Sequence, residues 1–549
     1  MTISSKTEQM FGFGKIKNMF RLKQFEKTEN RTNVRPNKCS EIAFLCVVTI
    51  ILLVPFYNKA ISSDAIFYIY TARQILKEPL KPFDFQINCA EKNYFGWDVA
   101  NNPPLVSYLI AGIIKIFGEN EKILHLVFLG FAVFTIMGMY FLSDELKINP
   151  FFSTLLLIAS PAFFVNATDI MLDIPMLAFS LWGIYFAINE KFIGWILLGL
   201  AVLIKFVAII NLPVVFAWFL LNKKLKKNLI FFLIPILFLI AWSTHNKLVY
   251  DEIQILKKSL SVGLFFGPVK EIPLLTYLGG AFIFPLSILW ISFKYNKVYI
   301  WFFIILFSVA NLFFNLLGNS NLKNLFFGVF ISSSVMLIFI FAEHLRKTNF
   351  QNETFFLVMW FFLYFLFFAS VSAIIAVRYL LPLLPPVIML LVKISQDLST
   401  RKVFLTITIT AGIILSLFLT HSDYMLAGSY RDIAEYIKNN YAGQNVYFTG
   451  HLGFQYYMEK NGFLAVDSND KIYPKNSILV NPIFPVTQKI HKDVFKKLKF
   501  IEEKYVFTKN PFRTMNPWVN AGFHLNMYGL LPYSFSSDPL EAFIIYKVK

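Results

Sequence analysis

Apolar runs recur along most of this chain, at about 41-58, 103-118, 122-142, 151-167, 170-188, 192-207, 208-222, 228-246, 274-293, 297-317, 323-342, 355-376, 379-394 and 403-420. Their lengths lie near the 17–25 residues that carry a helix through hydrocarbon, so the pattern predicts an all-α polytopic membrane protein. No repeat relates the runs. Short basic segments separate them: nine Lys and Arg in residues 1-38, then NKKLKKN at 222-228, KYNK at 294-297, EHLRK at 343-347 and KISQDLSTRK at 393-402. The positive-inside rule places these segments in the cytoplasm.

An even number of crossings then separates the N-terminus from NKKLKKN, yet seven runs lie between, so one of them does not cross. The 103-118 run is assigned that part, because it is short, opens with Pro103-Pro104 and carries Lys115, as a helix lying along or dipping into the interface would. The rival is one helix over 192-222. At 1.5 Å per residue it would be about 46 Å long against a core of about 30 Å, and Pro213 would interrupt it. Two short crossings are expected there, giving about 13 transmembrane helices. The expected layout is a cytoplasmic basic N-terminal segment (1-40), a transmembrane domain (41-420) with an outer loop at 59-121, and a small extracytoplasmic α/β domain (421-549), in the plasma (inner) membrane. In that last domain SYRDIAEYIKNNY and LGFQYYMEKNG read as helices and QNVYFTG as a strand.

Composition agrees with this class. Of 549 residues 56% are hydrophobic and only 15% charged, below the roughly 25% of soluble domains. A net charge of +18, from 51 Lys and Arg against 33 Asp and Glu, would suggest nucleic acid in a soluble protein. Here the excess sits between membrane runs, so no nucleic-acid partner is expected. Cys39, Cys46 and Cys89 give no disulfide framework. About forty polar and basic residues precede the first run and no small-residue cleavage site follows it, so that helix is expected to stay as an anchor.

Ionisable residues at the membrane edge are costly to bury and mark function. Asp64, in SSDAIFYIYTARQIL, directly follows the first helix, although Ser62, Ser63 and Asp64 are all also good helix caps. Asp169 and Asp173, in SPAFFVNATDIMLDIPMLAF, are spaced to share one helix face. Capping accounts for Asp169 through the helix dipole, whereas Asp173 lies one turn deeper among apolar residues. Lys205 and Arg378 are isolated cations in LIKFVAIINLP and AVRYLLPLLPP, with snorkelling as the alternative for Lys205. On the inferred topology both approach the outer face, where few cations are expected. Two cations and three carboxylates on one side suggest a site for an anionic, phosphate-bearing, membrane-borne substrate. No CxxC, HExxH, Walker loop or GxSxG occurs, so neither a structural metal nor a serine nucleophile is indicated.

The run D-x-x-x-Y-x-x-x-A-R (Asp64, Tyr68, Arg73), then NPPLVSYLIAGIIKIFG, SPAFFVNATDIMLDIPMLAF, LIKFVAI and RYLLPLLPP, resembles a known family in order and spacing over residues 40-395. The family is the GT-C integral-membrane glycosyltransferases of the dolichyl-phosphate-mannose protein mannosyltransferase and aminoarabinose transferase (PMT-like) group. GHLGFQYYMEKNGF is also similar to the outer domain of prokaryotic members. The resemblance implies a GT-C-like fold that moves a hexose or pentose from a polyprenyl-phosphate donor to an acceptor glycan, lipid or protein at the outer face. It puts Asp64 at the family's catalytic carboxylate and Asp173 at its second acidic position. Lys205 and Arg378 fall at donor-phosphate positions, with Arg73 in support, and Tyr68, Asn102, Asp169 and Glu91 are expected to position substrate. There are two departures. Ala65 stands where the family often has an acid, and Asn102 where it commonly has Lys, which replaces a charge on the phosphate by hydrogen bonding alone.

The expected mechanism has Asp64 as general base on an acceptor hydroxyl or amine, inversion at the anomeric carbon, and Lys205 and Arg378 neutralising the departing phosphate. No cofactor is expected to be required and no metal ligand is assigned, although Asp64 and Asp173 would hold a divalent cation if the fold joined them. Tyr456 and Tyr457 read either as sugar-stacking aromatics or as packing. The competing class is a transporter or flippase of a lipid-linked or anionic substrate, disfavoured by the absence of a repeat and by the long outer loop. An oligosaccharyltransferase is disfavoured because no WWDYG-like segment occurs.

Overall fold

A computed structural model describes residues 38-549 apart from 90-91, 262-267, 282-289, 292-297, 317-320, 373, 397, 471 and 485-489. The chain divides into a unit ending at Phe44 and a second unit, Leu45–Lys549. Among the described residues eight helices are long and apolar enough to cross a bilayer, from Lys38–Phe56 to Arg401–Asn440, with five shorter apolar helices between them. The protein is a multi-pass helical membrane protein with a small sheet-bearing C-terminal region. Part of the 274-293 run lies outside the described residues.

Three interruptions of the helical runs shape the site. The 151-167 run breaks at Ser160, and Pro161 opens a short helix, Pro161–Asn166. The chain then unwinds until Asp173–Ile188 begins. Pro175 explains this start, because a residue without an N–H is tolerated in the first turn, where that donor has no intrahelical partner, and not further in. Asp169 therefore lies in a non-helical link and shares no helix face with Asp173, which corrects the i, i+4 reading. The 192-222 stretch breaks at Lys205, whose backbone is extended (φ −152°, ψ 124°) between Phe192–Ile204 and the tight turns of Phe206–Ile210. A single helix over 192-222 is thereby ruled out, and the break falls at the cation itself rather than after residue 207. The third is Val377–Leu383, a 3-10 stretch containing Pro382 that leads into Leu384–Ser395.

The expected outer loop carries the helix Ala65–Lys77, an antiparallel strand pair of Gln86–Cys89 with Lys92–Phe95, and the amphipathic helix Leu105–Phe117. Trp97 fastens it to the helix Leu233–Tyr250 by stacking on Tyr250, with ring centroids 4.2 Å apart. Arg401–Asn440 is one helix of 40 residues. At 1.5 Å per residue it runs about 60 Å, twice the hydrocarbon thickness, so it passes through the expected boundary at residue 420 without a break. Its far half packs on a five-stranded sheet ordered Leu464–Ala465, Val446–Phe448, Ile478–Pro482, Glu541–Val548, Leu498–Val506. The first three strands pair in parallel and the last two join antiparallel. The expected strand in QNVYFTG and helix in LGFQYYMEKNG are both present, as Val446–Phe448 and Leu452–Lys460.

Glu541 opens the strand Glu541–Val548 and is fully buried. Its Oε1 accepts the backbone N–H groups of Ile483 (3.2 Å), Phe484 (3.0 Å) and Ala542 (2.9 Å). Burial outweighs these bonds and pushes the carboxyl from 4.5 up to about 8. A carboxyl that holds its proton more tightly folded than unfolded stabilises fully below its unfolded value, and that contribution is lost as pH rises through about 4.5 to about 8. Glu541→Gln keeps the acceptor and cannot ionise. Melting curves between about pH 5 and 8 should show the natural protein falling steadily relative to the variant, and parallel profiles would remove the buried neutral carboxyl.

Candidate functional site

A cavity of about 480 Å³ lies where these interruptions meet the loop helix Ala65–Lys77 and the C-terminal stretch 451-455. Asp64, Tyr68, Asn102, Asp173, Lys205, Arg378 and Tyr379 line one part of it, while Phe206, Val207, Ile209, Phe367 and Phe368 make another part apolar.

The polar part is a chain of alternating charges. The Asp64 carboxylate accepts from Arg378 Nη2 at 2.8 Å, Arg378 Nε lies 3.8 Å from Asp173 Oδ2, and Lys205 Nζ donates to Asp173 Oδ1 at 2.6 Å. The Tyr379 ring faces both cations, 4.3 Å from Lys205 Nζ and 5.0 Å from the Arg378 guanidinium carbon, where its π face attracts positive charge. Asp64 occupies the N-cap position of Ala65–Lys77 but makes no capping bond, so the capping reading gives way to the ion pair. The Asp64 side chain is 43% exposed and that of Asp173 only 2%. Asp64 is thus the carboxylate open to an incoming group, and Asp173 the buried one that ties the two cations together.

The chain before Asp64 is held firmly. Ser63 sits in the left-handed region (φ 47°), a conformation that persists only where surrounding contacts impose it. Gly453 of GHLGF presses on it: a side chain there would come within 2.2 Å of the Ile61 carbonyl, which accounts for glycine. His451 and Gln455, on either side of Gly453, line the cavity. Sequence reading singled out neither, since nothing local marks them.

Other expected residues are placed differently. Arg73 does not line the cavity. It forms a two-point pair with Glu119, at 2.7 Å from each oxygen. Tyr456 and Tyr457 are buried, and their hydroxyls donate to Glu119 and Glu121, so they pack and anchor and offer no sugar platform. Glu91 lies outside the described residues. Asn102 lines the cavity, with its carbonyl accepting from Gln254 at 3.2 Å.

Asp169 belongs to a second cluster that sequence reading missed. Lys59, fully buried, donates to Asp169 Oδ1 (2.5 Å), Asp423 Oδ2 (2.6 Å) and Thr168 Oγ1 (3.2 Å), and His524 Nε2 lies 3.0 Å from Asp423 Oδ1. Asp169, Asp423 and His524 stand close enough to share a metal ion, but the Lys59 ammonium already bonds both carboxylates. In the cavity, likewise, Asp64 and Asp173 flank Arg378, and a divalent cation between them would have to take the guanidinium's place. Neither acidic group therefore fits a metal ion as arranged.

Residues 101-246 match the family model described as Dolichyl-phosphate-mannose-protein mannosyltransferase. Over those residues the resemblance to the PMT-like group is borne out. The PMT-like match spans Asn102, Asp173 and Lys205; Asp64 precedes it and Arg378 follows it. Solved structures to which the chain is similar include ArnT from Cupriavidus metallidurans bound to undecaprenyl phosphate, at 13% identity over 81% of this chain and 92% of that one (TM-score 0.47). An Archaeoglobus fulgidus oligosaccharyltransferase tethered with an acceptor peptide gives 11% identity over 78% of this chain and 63% of that one (TM-score 0.47). Arabinofuranosyltransferase AftD from mycobacteria gives 10% over 92% and 40% (TM-score 0.42). No curated protein matches in sequence.

Removing one member of a buried ion pair strands the other, at a cost of about 3–5 kcal/mol. Lys59→Met should lower stability by about that amount in denaturant titration of the detergent-solubilised protein, and adding Asp169→Asn and Asp423→Asn should restore most of it. Unchanged stability in the single variant would show that the cluster is not a load on the fold.

Proposed function

We propose that this protein is a membrane glycosyltransferase that moves a sugar from a polyprenyl-phosphate donor to an acceptor glycan, lipid or protein at the outer face of the plasma (inner) membrane. The N-terminus is then cytoplasmic and the C-terminal sheet region extracytoplasmic. The observation that carries the reading is the partly exposed Asp64 carboxylate paired with a buried arginine beside Lys205, in a cavity with an apolar wall.

The donor is a phosphodiester with one negative charge, and the departing polyprenyl phosphate gains a second. Cations fixed in a water-poor cavity favour that gain and pay no reorganisation as the bond breaks. Arg378 and Lys205 take this part, Arg378 with a planar fork suited to two phosphate oxygens. The donor phosphate competes with Asp64 for the same guanidinium, so binding of the donor frees the carboxylate that must serve as base. Asp64 then takes the proton of the acceptor O–H or N–H, the acceptor atom bonds to the anomeric carbon from the face opposite the phosphate, and the C–O bond to phosphate breaks with its electron pair. The product is inverted at that carbon. Tyr68 and Asn102 face the sugar and phosphate as hydrogen-bonding groups, and the wall of Phe206, Val207, Ile209, Phe367 and Phe368 takes the prenyl chain.

The charge work falls to side chains, so transfer should persist in chelator. Loss of activity in chelator with recovery on adding Mg or Mn would overturn that part of the reading. The main test incubates the purified protein and Asp64→Asn with radiolabelled polyprenyl-phosphate sugars and a membrane extract, following sugar release. Asp64→Asn should fall by about 10²–10⁴-fold, the range of a lost general base. Equal turnover would remove Asp64 as base, and failure of every donor in an extract holding the native acceptor would remove the transferase.

A further inference from the structure

Arg378 is held from behind by a segment far away in sequence. Its Nη1 donates to the His524 carbonyl at 3.0 Å. The chain just before it is pinned to the same segment: Val377 N–H to the Phe523 carbonyl (2.9 Å), Ile375 N–H to Asn526 Oδ1 (3.1 Å) and Asn526 N–H to the Ile375 carbonyl (3.0 Å). This segment closes around the buried Tyr277, whose hydroxyl lies 2.6 Å and 2.8 Å from the carbonyls of Gly522 and Gly529. The His524 ring reaches the other charge cluster, with Nε2 3.0 Å from Asp423 Oδ1. One residue therefore touches both clusters, Arg378 through its carbonyl and Asp423 through its imidazole.

We propose that His524 is a positioning residue for sugar transfer: braced on Asp423, it fixes the segment Phe523–Asn526 and through it the aim of the Arg378 guanidinium. The inference rests on the reading of Arg378 as the group that takes the donor phosphate. Of the bonds that orient Arg378 among the described residues, those to Asp64 and Asp173 are to anions, with which the phosphate competes, whereas the bond to the His524 carbonyl is not exchanged. The carbonyl is the fixed point while Asp64 is released. A guanidinium fork displaced by about an ångström loses its two-point geometry, and misplacement on that scale costs up to about 100-fold in rate.

The test has one readout that needs no activity and one that does. Hydrogen exchange on the full-length protein should show the amides of Ile375 and Val377 exchanging faster in His524→Ala while the amides of 405-415 are unchanged. His524→Gln, whose amide nitrogen can stand in for Nε2 towards Asp423, should retain most of the protection. Per folded molecule, His524→Ala should lose about 10- to 100-fold in kcat with little change in acceptor KM. In combination with Arg378→Lys it should add almost nothing, because both variants remove the same aimed contact. If the alanine variant does not fold, His524→Asn, polar but too short to reach Asp423, takes its place. Unchanged exchange at 375-377, or losses that simply multiply, would overturn the proposal. If the natural protein turned over no donor, the transferase reading would fall, and the exchange result would still decide whether His524 braces Arg378.

Discussion

A guanidinium cannot shed its proton inside a protein, and Arg378 is only 5% exposed. The fold must therefore deliver charge and hydrogen-bond acceptors to that one place from distant parts of the chain. Asp64 comes from the start of the loop helix, Asp173 from the start of another helix, and the His524 carbonyl from the C-terminal region. Asp173 in turn holds Lys205. The same arrangement that makes burial of Arg378 tolerable creates a cationic pocket beside an open carboxylate.

Continuous membrane helices could not have done this. Irregular backbone at membrane depth is tolerated where protein covers it or where it lines a cavity, and three interruptions converge on one here. Pro161 and Pro175 force the unwound link before Asp173, Lys205 sits in extended backbone between two short helices, and the proline-rich 377-386 stretch carries Arg378 in a 3-10 turn. Each break presents a charged side chain. The long helix Arg401–Asn440 supplies Asp423 between its membrane half and its sheet-packing half, and Asp423 joins Lys59 to the C-terminal region.

The charged residues that meet in the candidate site were legible because each stands alone in or beside an apolar run, which marks Asp64, Asp173, Lys205 and Arg378 without any need of neighbours. Pairing was not legible. The spacing of Asp169 and Asp173 suggests one helix face only if the helix is continuous, and Pro175 prevents that. Arg73 stands in a motif with Asp64, yet a helix turns its side chain towards Glu119. Lys59, Asp423 and His524 gave no signal: the first two flank apolar runs as snorkelling charges do, and the contact that joins Asp423 to His524 spans 101 positions. Tyr456 and Tyr457 show the same limit, since a buried tyrosine and a sugar platform look alike in sequence.

The proposed mechanism turns on one exchange of partners, in which a lipid phosphate would replace Asp64 on Arg378. A structure with a polyprenyl phosphate bound tests it most directly. The phosphate is predicted to lie between Arg378 and Lys205, with Asp64 released from Arg378 and open to the cavity. A phosphate bound elsewhere, with the Asp64–Arg378 pair intact, would contradict it.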